Sequence, residues 1–216
     1  MPNFFDRLLR LISTRTPAVG LCAETLLAAL VAAAVLVWQT ARGRGALEIS
    51  AVAIYTAGLV SMLACSLIYN ILPSSPLKWL FRRFDLSAIF LMIAGTYTPL
   101  LTQVSDPFTA WGLAAAVWSA ALVGIVAVIG FPEVGDRIKL ALYLAMGWIS
   151  VLALGPVGAS LPSTVMQLVI AGGLLYTVGV IFWRWTSLRY QNVIWHLFVV
   201  SAATCHFVAI ASLMTA

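Results

Sequence analysis

Ser66 and Asn70 stand four residues apart in a strongly apolar stretch, and Asn192 and His196 repeat that spacing near the other end of the chain. On a helix, a spacing of four puts both side chains on one face. Asp85, Glu24 and His206 are further polar or ionisable residues lodged in or beside apolar runs. Side chains of these types hydrogen-bond, exchange protons or ligate metals. Within a membrane they are costly, so each is a candidate functional residue. At about 100° per residue, Asn192, His196 and His206 fall within a sector of about 80°. One face of that stretch is therefore polar and has to point into protein. His206 lies ten residues beyond His196, roughly 15 Å deeper at helical rise.

Each residue taken alone also has a structural reading. Asn70 fits a helix-end cap or an interhelical hydrogen bond. Asp85 follows Arg82 and Arg83 and is expected to open a helix, where a carboxylate favours the dipole or pairs with Arg. His206 fits a buried neutral imidazole bonded to a neighbouring helix, and Glu24 fits an interfacial residue. What distinguishes the group is its joint pattern. Asn70, Asp85, Asn192 and His196 sit at one expected depth, and helices ending at one level can converge on a shared pocket.

The elements that would position these residues are apolar runs at about 18–40, 47–72, 85–104, 109–131, 138–157, 163–184 and 191–214. Each is near or above the roughly 20 residues that cross a hydrocarbon core. The 216-residue chain is 62% hydrophobic and 9% charged, with a mean hydropathy of +1.04. Soluble domains carry about 25% charged residues, so a soluble fold is excluded. The expected fold is all-α, an integral membrane bundle of seven transmembrane helices over residues 18–216, preceded by a short interfacial segment at 1–17. The net charge of +5 does not mark a nucleic-acid surface, because the basic residues are scattered at the ends of the runs. Arg7, Arg10, Arg15, Lys78, Arg82, Arg83, Arg137, Lys139, Arg184 and Arg189 fall on one side of the alternating links, and only Arg42 and Arg44 on the other. Lys and Arg are retained on the cytoplasmic side. The expectation is a cytoplasmic N-terminus and an extracytoplasmic C-terminus, in the inner membrane of a bacterium.

The links are short and rich in turn residues, as in Leu72-Pro73-Ser74-Ser75-Pro76 and Ser105-Asp106-Pro107, so consecutive helices should be antiparallel neighbours. Trp79, Trp183, Trp185 and Trp195 fall near the expected cytoplasmic interface, and Trp38 and Trp111 near the outer one, as amphipathic rings prefer. Trp118 and Trp148 lie deeper, as packing residues. Cys22, Cys65 and Cys205 are odd in number and lie in or at the start of spans, which argues against a disulfide framework. The first sixteen residues lack a signal-peptide h-region and cleavage site, so the first span is expected to remain. No inverted repeat is evident.

Several dispersed segments carry a resemblance: Arg83-Phe84-Asp85, Ala94-Gly95-Thr96-Tyr97-Thr98-Pro99, Leu142-Tyr143-Leu144 with Gly147-Trp148, Gly172-Gly173-Leu174-Leu175-Tyr176 with Gly179, and Ile194-Trp195-His196-Leu197-Phe198 leading to His206-Phe207. In that order, the chain resembles the hemolysin III group of the progestin and adipoQ receptor family, within the ceramidase-like seven-helix membrane proteins. The resemblance implies a zinc site near the cytoplasmic face: Ser-x-x-x-His ending the second helix, Asp opening the third, and His-x-x-x-His starting the seventh. Those positions are Ser66, Asn70, Asp85, Asn192 and His196, with Asn at two of the three histidine positions. An amide oxygen is a weaker zinc donor than imidazole, so the site is expected to be metal-depleted, a polar pocket that binds a lipid or a partner protein. The alternative is a zinc-dependent hydrolase of a lipid amide or ester, with Asp85 handling the water, Ser66 helping to hold the site and His196 as ligand. The family name also records a cytolysin. A pore needs a continuous polar lining, and the polar face of the last span stops at His206.

Overall fold

The computed structural model describes residues 17–131, 133, 135–152 and 160–215. Residues 1–16 of the interfacial segment expected at 1–17 lie outside the described residues, as does the end of the fifth run beyond residue 152, while Pro17 already belongs to the first helix. Seven helices are described: α1 Pro17–Gly43, α2 Ala46–Ile71, α3 Pro76–Leu101, α4 Pro107–Gly130, α5 Asp136–Leu152, α6 Ser163–Arg184 and α7 Gln191–Thr215. Among the described residues, the stretches of α1, α2, α3, α4, α6 and α7 are long and apolar enough to cross a membrane. The chain is an all-helical, multi-pass membrane protein.

Local sequence explains where the helices start. Ser75 caps α3 by accepting a hydrogen bond from the Lys78 amide at 3.2 Å, and Pro76 follows at the first helical position, where its missing N–H costs nothing. Asp106 and Pro107 repeat the device at α4. There Asp106 accepts from the Thr109 amide at 2.9 Å and from the Thr109 hydroxyl. These bonds hold the Asp106 carboxyl below its usual range, because they favour the charged form. Leu72 leaves α2 in an extended conformation and Pro73 follows it, so α2 cannot continue.

The helices pack in chain order: α1 on α2, α2 on α3, α3 on α4, then α6 on α7, with α7 also meeting α1. α3 touches α2, α4, α5 and α7, and its buried face holds Phe90, Met92, Ala94 and Leu100. Close approach depends on small residues. A Cβ on Gly58 of α2 would stand 3.1 Å from the Leu91 carbonyl oxygen of α3, and one on Gly95 would stand 3.4 Å from that of Ile54. Without a hydrophobic drive between helices in lipid, such contacts carry the packing.

The sequence places Asp85 at the opening of its helix, and the structure corrects this. α3 starts at Pro76, so Asp85 is its tenth residue. A run containing Lys78, Arg82 and Arg83 reads as a link by hydropathy, yet those long side chains carry their charge outward from a regular helix. Asp85 is too far along α3 for the dipole effect, which fades within the first turn.

Candidate functional site

A cavity of about 220 Å³ opens inside the bundle, lined by residues from α1, α2, α3, α5, α6 and α7. Ser66, Asn70, Asp85, Asn192, His196 and His206 all line it. Glu24 does not. It is exposed on α1, while Cys22 and Thr25 on the neighbouring face of that helix turn toward the cavity.

The two amides meet. Asn192 Nδ2 of α7 donates to Asn70 Oδ1 of α2 at 3.1 Å, and Asn70 Nδ2 donates to the Ser66 carbonyl oxygen at 2.8 Å. Asn70 therefore uses the oxygen and the nitrogen of its side chain to tie α7 to the last turn of α2. His196, one turn along α7 from Asn192, is buried and faces the same space. One turn back along α2 from Asn70, the Ser66 side chain neighbours the Asp85 carboxyl and also the Cys22 thiol. Ser66, Asn70, Asp85, Asn192 and His196 are thus one cluster drawn from three helices.

His206 belongs to the deeper part of the cavity. Its Nε2–H donates to the Val169 carbonyl oxygen of α6 at 3.1 Å, and its ring lies 5.7 Å from that of Tyr176. It is a packing histidine held by a neighbouring helix. Tyr97 and Tyr143 also bond helix to helix, Tyr97 donating to the Met146 and Gly147 carbonyl oxygens and Tyr143 to that of Leu86. Trp118 and Trp148 donate to Thr98 and Thr177, each at 3.2 Å, as suits deep packing residues.

The structure adds a charged group that sequence reading treats only as interfacial basicity. Asp136 and Lys139 of α5 and Tyr143 one turn further all line the cavity. Arg82 Nη2 of α3 meets Asp136 Oδ2 at 2.8 Å, and Lys139 Nζ lies 3.5 Å from Asp136 Oδ1. The spacing Asp136-x-x-Lys139 was the available signal, since residues three apart are neighbours on a helix. Which way that pair faces is not encoded in its spacing.

A family model described as "Haemolysin-III related" matches residues 22–207. The chain belongs to the haemolysin-III related family. Hemolysin-3 of Bacillus cereus is 37% identical over 161 residues, spanning 73% of this chain and 74% of that protein. The Hemolysin-3 homolog of Bacillus subtilis (strain 168) is 33% identical over 160 residues, spanning 74% and 75%. The human monocyte to macrophage differentiation factor is 30% identical over 164 residues, spanning 73% and 67%. Through that relative the family connects to the progestin and adipoQ receptors.

Proposed function

We propose that this haemolysin-III family protein binds the polar head of an amphiphile in its interior cavity, and does so without a zinc ion. The observation that carries the reading is the Asn192–Asn70 side-chain hydrogen bond at the cavity wall. It occupies the two positions where the family pattern implies imidazole ligands, and it turns them toward each other. Catalytic zinc takes three donors from His, Cys or carboxylate and keeps a position open. Here His196 is the one imidazole of the cluster, and the amides are neutral, weak donors. Among the described residues, no group of three His, Cys, Asp or Glu side chains is placed to hold a metal. The donor set does not fit zinc. It fits hydrogen bonding to a neutral or charged head, with a largely apolar wall of Leu63, Ile89, Met92 and Val199 to receive a tail.

Asn70, Asp136, Lys139 and Asn192 line the cavity from the helix ends that gather the basic residues, and the positive-inside rule places that end in the cytoplasm; the inner membrane of a bacterium is the setting that fits. Hydrolysis of a lipid amide or ester is the second reading, favoured by Ser66 standing beside Asp85. The apolar wall argues against a pore, which needs a continuous polar path.

Metal analysis by mass spectrometry on detergent-purified protein tests the proposal. Wild type should carry no stoichiometric zinc. Asn70→His with Asn192→His should acquire it, and adding His196→Ala should remove it again. Stoichiometric zinc in wild type that disappears in His196→Ala would overturn the metal-free reading and restore the hydrolase.

A further inference from the structure

The cavity wall formed by α3 and α5 carries a cation that the amide cluster does not explain. Lys139 is in the first turn of α5, its side chain is only 6% exposed, and it lines the cavity. Its contact with Asp136 is 3.5 Å, the outer limit of a hydrogen bond, and the other oxygen of that carboxylate is engaged by Arg82 at 2.8 Å. Arg82 is also the cation that acts on Asp85. The guanidinium takes the short contact with Asp136, and Lys139 is left with the longer one.

An ammonium group has three N–H donors, and the one contact Lys139 makes among the described residues, a long one, satisfies at most one of them. A buried cation is destabilising unless it is closely paired. The donors that remain lie in a cavity with an apolar interior. An anion bearing an apolar tail meets both requirements at once.

We propose that Lys139 is an anion-binding residue, which takes the negatively charged oxygens of an amphiphile's head, as in a phosphate monoester, while the tail occupies the apolar wall. The inference rests on the amphiphile-binding reading of the cavity and adds the charge of the head. The Asn70–Asn192 pair, which lines the same cavity, then takes the polar atoms next to the charged group.

The full-length protein in a neutral detergent can be titrated with dodecyl phosphate, dodecanol and inorganic phosphate, read by tryptophan fluorescence. Trp148, Trp183 and Trp195 line the cavity and report on occupancy. Dodecyl phosphate should bind roughly tenfold or more tightly than dodecanol, the range for a hydrogen bond to a charged group. Lys139→Gln should remove that advantage and keep dodecanol binding, which also shows that the variant is folded. Lys139→Arg should retain most of it, and Arg137→Gln should leave it unchanged. Equal binding of dodecanol and dodecyl phosphate to wild type sinks the Lys139 assignment and leaves the cavity reading standing. An advantage that survives Lys139→Gln sinks it as well. Inorganic phosphate binding as tightly as dodecyl phosphate overturns the amphiphile, and no binding of any of the three overturns both readings.

Discussion

An amide in place of an imidazole keeps the capacity to hydrogen-bond and gives up most of the affinity for zinc. Asn70 and Asn192 stand where the family pattern implies imidazoles, and the two side chains bond to each other across α2 and α7. Their common depth was legible in the sequence, because they sit on helices that end at one level; that they bond to each other was not. Nor was Lys139. Its charge reads equally well as a headgroup anchor, and only the rotation of α5 shows that it turns inward. The interior tyrosines give a further contrast. Tyr97 donates to two carbonyl oxygens, whereas the buried hydroxyls of Tyr55 and Tyr176 have no partner among the described residues. An unsatisfied buried hydroxyl costs about 1–3 kcal/mol and a satisfied one contributes about 1 kcal/mol. Tyr176→Phe should therefore leave thermal stability in detergent unchanged or raised. Tyr97→Phe should lower it by about 1 kcal/mol. A Tyr176→Phe variant that melts well below wild type would show that this hydroxyl has a bond in solution.

Hydropathy located the helices better than it located their ends. α3 is the clear case: its first nine residues include Lys78, Arg82 and Arg83 and lower the hydropathy, yet Ser75 and Pro76 form a regular helix start. The cap signature, rather than the apolar run, held the boundary. Arg82 consequently sits on the same helix as Asp85 and can reach Asp136 on α5, which places a salt bridge beside the cavity. Packing between elements is decided at single atoms in a similar way. A Cβ at Gly172 of α6 would stand 2.4 Å from the His206 ring and 3.1 Å from the Ala202 carbonyl oxygen of α7. The ring cannot easily yield, since its Nε2 is bonded to Val169 and it packs at a tilt against the Tyr176 ring. Gly172→Ala should destabilise the protein by about 1–3 kcal/mol, the usual cost of overpacking. A Cβ at Gly112 of α4 would meet nothing within 4 Å, so Gly112→Ala should be neutral or gain up to about 1 kcal/mol of helix propensity. Equal melting temperatures for the two variants would mean that α6 and α7 are farther apart than the structure has them.

For the whole molecule, orientation follows from where the charges are committed. Arg44 follows α1 and donates through Nε to the Met214 carbonyl oxygen and through Nη2 to that of Leu213. It satisfies carbonyls that the last turn of α7 cannot bond internally, and it fixes the α1–α2 link and the end of α7 at one end of the bundle. Of the two basic residues on that side, only Arg42 then remains for headgroups, and it lies over the Trp38 ring at 4.8 Å. At the opposite end Arg83 covers Trp79 at 3.6 Å and Lys78 faces Tyr69 at 5.0 Å, so several basic residues sit with aromatic rings of the kind that settle at headgroup level. The charge bias is therefore sharper in the folded protein than in the sequence. It predicts that the end carrying Arg44 and Thr215 faces away from the cytoplasm and that the end carrying Lys139 faces into it. A fluorescent protein fused after Ala216 should stay dark in a bacterial host while alkaline phosphatase at the same point is active, and both should reverse when inserted at Gly135. A bright fusion after Ala216 would invert the bundle. The end of the cavity lined by Lys139 would then face outward, and its amphiphile would have to come from the outer leaflet.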